Sequence, residues 1–155
     1  MEIIQEQYAK FKATEKKVDE IYHRIAVQLG IPDSTFWVLY CLTEMDMIHT
    51  QNSIAEAMGV PKQTINSAIN NLVKGEYIYL EQMAVARNSK SIHLTDKGKA
   101  YCQETIQPII DAEIRAANRL SEQEQEIYIA LSIKHNQFLQ EEFGALLATL
   151  RSETP

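Results

Sequence analysis

The segment Thr50–Leu72, TQNSIAEAMGVPKQTINSAINNL, leaves this chain few ways to fold. Two short helical patterns flank Gly59, and the residues between them have the types that a tight helix–turn–helix needs. Ala55 is small enough to let two helices approach closely. Gly59 tolerates the positive φ of the turn, and Ile54, Ile65 and Ala68 fill the wedge between the helices. Thr50 is the expected N-cap of the first helix. Pro61 suits the first turn of the second, where its missing N–H costs nothing.

The second helix of this unit separates its chemistry cleanly. At about 100° per residue, Ile65, Ala68, Ile69 and Leu72 share one face, with Gln63, Ser67, Asn70 and Lys74 opposite and Thr64, Asn66 and Asn71 at the flanks. A merely solvated face favours Glu and Lys, which are better helix formers than Asn, Ser or Thr. Uncharged side chains on this face therefore point to a contact requirement. Asn and Gln make bidentate contacts to adenine edges in a major groove, and Ser and Thr read several bases.

The charge distribution agrees. Net charge is −6, which by itself argues against nucleic acid. Residues 60–100, however, hold Lys62, Lys74, Arg87, Lys90, Lys97 and Lys99 against Glu76, Glu81 and Asp96, a local +3 that leaves −9 elsewhere. A basic segment in an acidic body is a functional asymmetry.

On the N-terminal side, Ile4, Tyr8, Phe11, Val18, Tyr22, Ile25 and Leu29 trace an amphipathic helix of roughly 40 Å. That is longer than a small domain covers alone, so a second subunit is expected. GIPDS stops this helix, and Asp33 or Ser34 is expected to cap the next, the buried TFWVLYCLTEM. Beyond Leu72, EYIYLEQ and SKSIHLT read as two strands of a hairpin whose loop carries Arg87 and Lys90. Thr95-Asp96 then opens a helix that Pro108 should kink or restart. Ser121 to Glu124, SEQE, is a capping box for a last helix bearing Ile127, Leu131, Phe138, Leu139, Phe143, Leu146, Leu147 and Leu150.

The motifs IAEAMGVPKQTINSAINNLV and RNSKSIHLTDKGKAYC resemble the multiple-antibiotic-resistance regulator (MarR) family of winged helix–turn–helix proteins, and the order of elements matches over nearly the whole chain. The resemblance implies a mainly α fold: a winged helix–turn–helix lobe over residues 33–100 with a two-stranded β wing, and dimerisation helices over 1–31 and 108–150, all in one domain. It also implies an obligate homodimer whose wing tips reach the DNA. The acidic residue and the arginine common in family wings fall here at Ala86 and Asn88, with Arg87 between them and Lys90 kept. The glycine usual before the first wing strand falls at Glu76, one residue after Gly75.

The expected function is a cytoplasmic, sequence-specific transcription regulator, a repressor that binds a pseudo-palindromic double-stranded operator. Gln63, Thr64, Asn66, Ser67 and Asn70 are expected in the groove, Thr50, Gln51 and Lys62 at phosphates, and Arg87 and Lys90 on the wing. Tyr22, Phe36, Trp37 and Tyr40 are the candidate pocket for a small aromatic effector. A winged-helix interaction adaptor that no longer binds DNA is the alternative. No cofactor is expected. His23, His49, His93 and His135 form no H-x₃-H pair and join no Cys at ligand spacing, so no metal site is expected either. Cys41 and Cys102 read as reduced core residues. With no phosphate loop, nucleophile elbow or paired acid motif, no enzyme is expected. No run of about 18 apolar residues suggests a membrane span.

Overall fold

The computed structural model describes residues 2–44, 48–83 and 89–152. Among these residues, seven helices and three short strands follow one another as α1 (Glu2–Leu29), α2 (Asp33–Glu44), β1 (His49–Thr50), α3 (Gln51–Met58), α4 (Lys62–Lys74), β2 (Ile78–Gln82), β3 (Lys90–Leu94), α5 (Asp96–Thr105), α6 (Gln107–Ala117) and α7 (Glu122–Ser152). The fold is mainly helical with a small antiparallel sheet. Its contacts divide the chain into two compact units, Met1–Ile110 and Asp111–Pro155. No single described helix is long and apolar enough to cross a membrane.

In the first unit, the core forms where α2, α3 and α4 meet the sheet. Phe36, Val38, Leu39, Ile54, Ile65, Ala68, Leu72, Ile78, Ile92 and Ile106 are all buried. Fully burying a side chain of this kind is worth about 1.5–3 kcal/mol relative to leaving it exposed, and this cluster holds the lobe together. Only the last turns of α1 take part: Ala26 is buried and Tyr22, Ile25 and Leu29 pack against the cluster, while residues 4–21 are exposed throughout. Ile4, Tyr8, Phe11, Val18 and Ile21 are thus an apolar stripe with no cover within this unit.

Local chemistry sets most boundaries. Gly30, at φ 69°, ends α1. α2 begins at Asp33, so Asp33 is not its cap; it stands in the first turn, where a carboxylate complements the helix dipole, and it accepts from His23 Nδ1 at 2.9 Å. Thr50 caps α3 as expected, in a capping box with Ser53: the Thr50 hydroxyl accepts from Ser53 N–H, and Ser53 Oγ accepts from Thr50 N–H. Gly59 sits at φ 62° and closes α3. Pro61 stands one position before the helix rather than in its first turn, an N-cap in extended conformation that its ring favours equally well.

The sheet differs from the expected two-stranded wing by one strand. β1 pairs antiparallel with β3 through His49↔Ile92 and Thr50↔Ser91, and the order β1-β3-β2 puts β3 in the centre. The hairpin register runs from Ile78↔Leu94 to Gln82↔Lys90. Tyr79 stacks on its cross-strand partner His93 at 5.1 Å, and His93 Nε2 is hydrogen-bonded to Ser91 Oγ at 2.8 Å. Thr95 caps α5 by accepting from Gly98 N–H, and the helix breaks at Ile106 before Pro108, as the proline requires.

The second unit is carried by α7. Ser121 and Glu124 form the expected capping box, in which Glu124 Oε2 accepts from Ser121 N–H at 2.8 Å and Ser121 Oγ accepts from Glu124 N–H at 3.3 Å. That contact holds the Glu124 carboxyl below its usual range. Gln125 Nε2 donates to the Ala117 and Leu120 carbonyls, closing the turn after α6. Ile127, Leu131, Phe138, Phe143, Leu147 and Leu150 are each at least half exposed within this unit.

Candidate nucleic-acid interface

Burial along α4 follows the wheel read from the sequence. Ile65, Ala68, Ile69 and Leu72 are buried; Lys62, Gln63, Thr64, Asn66, Ser67, Asn70, Asn71 and Lys74 are exposed. The helix therefore offers solvent a continuous face of neutral hydrogen-bonding side chains.

Its N-terminal end carries no compensating negative charge. No side chain caps α4 at Pro61, and its first turn holds no acidic residue. The first residue is instead Lys62, a cation at the positive end of the helix dipole, where it opposes helix stability. An uncapped helix start bearing a lysine suits a phosphate oxygen.

The structure brings half of the expected contact residues together. A cleft of about 230 Å³ is lined by Thr50, Gln51, Asn66, Asn70 and Lys90. Asn66 and Asn70 are one helical turn apart and present their amides from the same side of α4. Asn52 and Ser89 also line this cleft, and the sequence reading missed both. The polar run Thr50-Gln51-Asn52 at a helix start was the available signal for Asn52.

The remaining residues divide differently. Lys62, Gln63 and Ser67 are exposed on α4 outside this cleft. Thr64 lies on a separate cleft with Trp37 and Tyr40. Thr50 and Gln51 already have intramolecular roles: the Thr50 hydroxyl caps α3, and Gln51 Nε2 donates to the Lys62 carbonyl at 3.0 Å. Arg87, with Ala86 and Asn88, lies outside the described residues.

The four aromatic candidates form one cluster. Ring centroids lie 4.9 Å apart for Tyr22–Trp37, 5.1 Å for Phe36–Trp37 and 5.4 Å for Trp37–Tyr40. They do not share one role. Phe36 is fully buried in the core and Tyr22 packs against it, whereas Trp37 and Tyr40 line a cleft of about 580 Å³ with residues of α1, α3 and α4.

Both cysteines are buried, and burial pushes both thiols up from their ordinary pKa. Glu44 adds to the shift at Cys41, and a hydrogen bond with Thr43 offsets part of it at Cys102. A raised pKa is the opposite of what a reactive thiol requires. Among the described residues, no group of three His, Cys, Asp or Glu side chains could hold a metal ion.

Comparison with known proteins agrees with this geometry. Residues 29–85, which hold α2 to the end of β2, match the MarR family model. A MarR family regulator from Neisseria meningitidis superposes with a TM-score of 0.76 at 18% identity, over 90% of this chain and 97% of that one. S. aureus MepR in its DNA-binding conformation gives 0.72 at 24% identity, over 86% and 98% of the two chains. A MarR transcriptional regulator from Methanosarcina mazei gives 0.61 at 25% identity, over 87% and 98%. A search of curated proteins finds no match. The helix–turn–helix and first wing strand thus match the MarR family model, and the chain shares a winged helix–turn–helix fold almost end to end with these structures.

Proposed function

We propose that the protein is a homodimeric repressor that binds a pseudo-palindromic DNA operator and is released by a small-molecule effector. The observation that carries this reading is the cleft in which Asn66 and Asn70 of α4 face the start of α3 and Lys90 of β3. Amides positioned for base edges beside a lysine positioned for phosphate are the two components of sequence-specific binding. S. aureus MepR, which has this fold, has been solved in complex with DNA.

The dimer follows from residues 1–31 and 108–150, the proposed dimerisation helices. α1 and α7 each expose an apolar series that the rest of their own unit leaves uncovered, and large exposed apolar patches on one chain mark protein interfaces. A twofold dimer would set two α4 helices in successive major grooves, roughly 34 Å apart. The effector would act from the cleft at Trp37 and Tyr40, which reaches Thr64 on α4. It would shift the population between two spacings of the recognition helices by binding one of them better.

The test is a gel-shift titration against the DNA upstream of the protein's own gene at two salt concentrations, with sedimentation to establish the dimer. Nanomolar, salt-sensitive binding that survives competitor DNA is expected. A folded dimer that fails to bind at both salts would favour the interaction adaptor, in keeping with the −9 outside residues 60–100.

A further inference from the structure

The cleft beside Trp37 has a charge that selects its ligand. Its walls are apolar and aromatic, from Trp37, Tyr40 and Met58, and its other lining residues include Asp19, Asp33 and Glu44. Among the described residues, no lysine, arginine or histidine lines it. Asp33 is held by His23, while Asp19 and Glu44 have no ion-pair partner among the described residues. These carboxylates are not grouped to hold a metal ion. At about 580 Å³ the cleft has the size of a site for a drug-sized molecule.

We infer that this cleft binds a lipophilic organic cation, with its aromatic body against Trp37 and Tyr40 and its charge compensated by Asp19 and Glu44. An anionic aromatic would meet repulsion from Asp19 and Glu44. A cation gains from the carboxylates and from the electron-rich faces of Trp37 and Tyr40 together. The site deepens the effector reading, on which its consequence for DNA rests. Ala57, Met58 and Val60 place it against the turn between α3 and α4, and Thr64 against the first turn of the recognition helix. A ligand seated there therefore touches both halves of the helix–turn–helix.

Trp37 is the protein's single tryptophan, so its fluorescence reports this cleft alone. Tetraphenylphosphonium and tetraphenylborate have nearly the same shape and opposite charge, and both would be titrated against the full chain. The cation is expected to quench Trp37 saturably and the anion not to. Asp19→Asn with Glu44→Gln, both exposed and outside the core, should weaken the cation about tenfold while leaving the melting temperature in place. Equal quenching by the two ions, no saturable quenching by the cation, or unchanged affinity in the double variant would each overturn the inference. Saturable, charge-selective quenching that leaves operator binding unaltered would uphold this site and overturn ligand control of DNA binding instead.

Discussion

Gln51 spans the helix–turn–helix from its first residue: its side-chain amide donates to the carbonyl of Lys62 at 3.0 Å, tying the start of α3 to the start of α4. The same residue lines the cleft with Asn66 and Asn70. Gln51→Ala removes one partly exposed hydrogen bond, so stability should fall by no more than about 1 kcal/mol. Operator affinity should fall further, because the two helix starts proposed to face phosphate lose their fixed spacing. Thermal melts beside a DNA titration decide it; equal losses in both would make Gln51 a structural tie alone.

The amides and the cation of the cleft should fail in different ways. Asn66→Ala or Asn70→Ala should relax preference at one base pair, costing about 1–3 kcal/mol there and little on non-specific DNA. Lys90→Ala should weaken binding to every sequence and reduce the salt slope by about 1. Binding measured on an operator panel at several salt concentrations separates the two patterns. If either asparagine variant behaved like the lysine variant, α4 would not be reading bases.

Glu76 is the one described non-glycine residue with positive φ, at 60°, while its neighbour Gly75 is right-handed at φ −78°. The left-handed position after α4 thus falls on the glutamate. Its carbonyl accepts from Thr95 Oγ1 and that of Gly75 from Lys97 Nζ, so the turn is fixed from α5. Glu76→Gly keeps these backbone acceptors and removes the Cβ strain. After the larger chain entropy of glycine is set against this, a net gain of ~0.5 kcal/mol is expected in chemical denaturation. A loss would mean that the Glu76 side chain stabilises the turn.

Gly98 stands where β2 begins and α5 starts. A Cβ there would run into the Tyr77 carbonyl oxygen, which already accepts from Thr95 N–H. Because the obstacle is backbone, Gly98→Ala should cost about 1–3 kcal/mol or more. The loss should appear in urea titration and in faster exchange of the β2 and β3 amides. A variant as stable as the parent would show that this junction yields.

The Glu124 carboxyl at the start of α7 has its pKa lowered by its hydrogen bonds to Ser121. A depressed folded value means that its stabilising effect is complete above the ordinary carboxylate range and is lost as pH falls through the depressed value. Glu124→Ala should therefore lower the melting temperature at pH 7 and lose that difference in strong acid. A difference that persisted unchanged into acid would assign the effect to something other than the carboxylate.

Features written in a few adjacent residues were legible in the sequence: the Thr50 and Ser121 caps, the Gly59 turn, the break before Pro108, and the two faces of α4. Each depends on contacts within one or two turns. Strand β1 was not legible, because two residues carry no periodicity and their partners Ile92 and Ser91 lie far along the chain. The division of the aromatic cluster was hidden for a similar reason. Helical spacing places Phe36 and Trp37 side by side, and only the packing of α1, α3 and α4 against α2 buries one and leaves the other on a cleft. Charge around that cleft was equally hidden, since Asp19, Asp33 and Glu44 come from separate parts of α1 and α2.

Thr50 ends β1 and caps α3 with no residue between. The sheet and the helix–turn–helix consequently have no hinge at this point. A torque on β3 passes through the Thr50–Ser91 rung directly into the first turn of α3. The wing strands and the reading head should therefore turn on DNA as one plate, and slow hydrogen exchange in β3 and in α3 should open and close together.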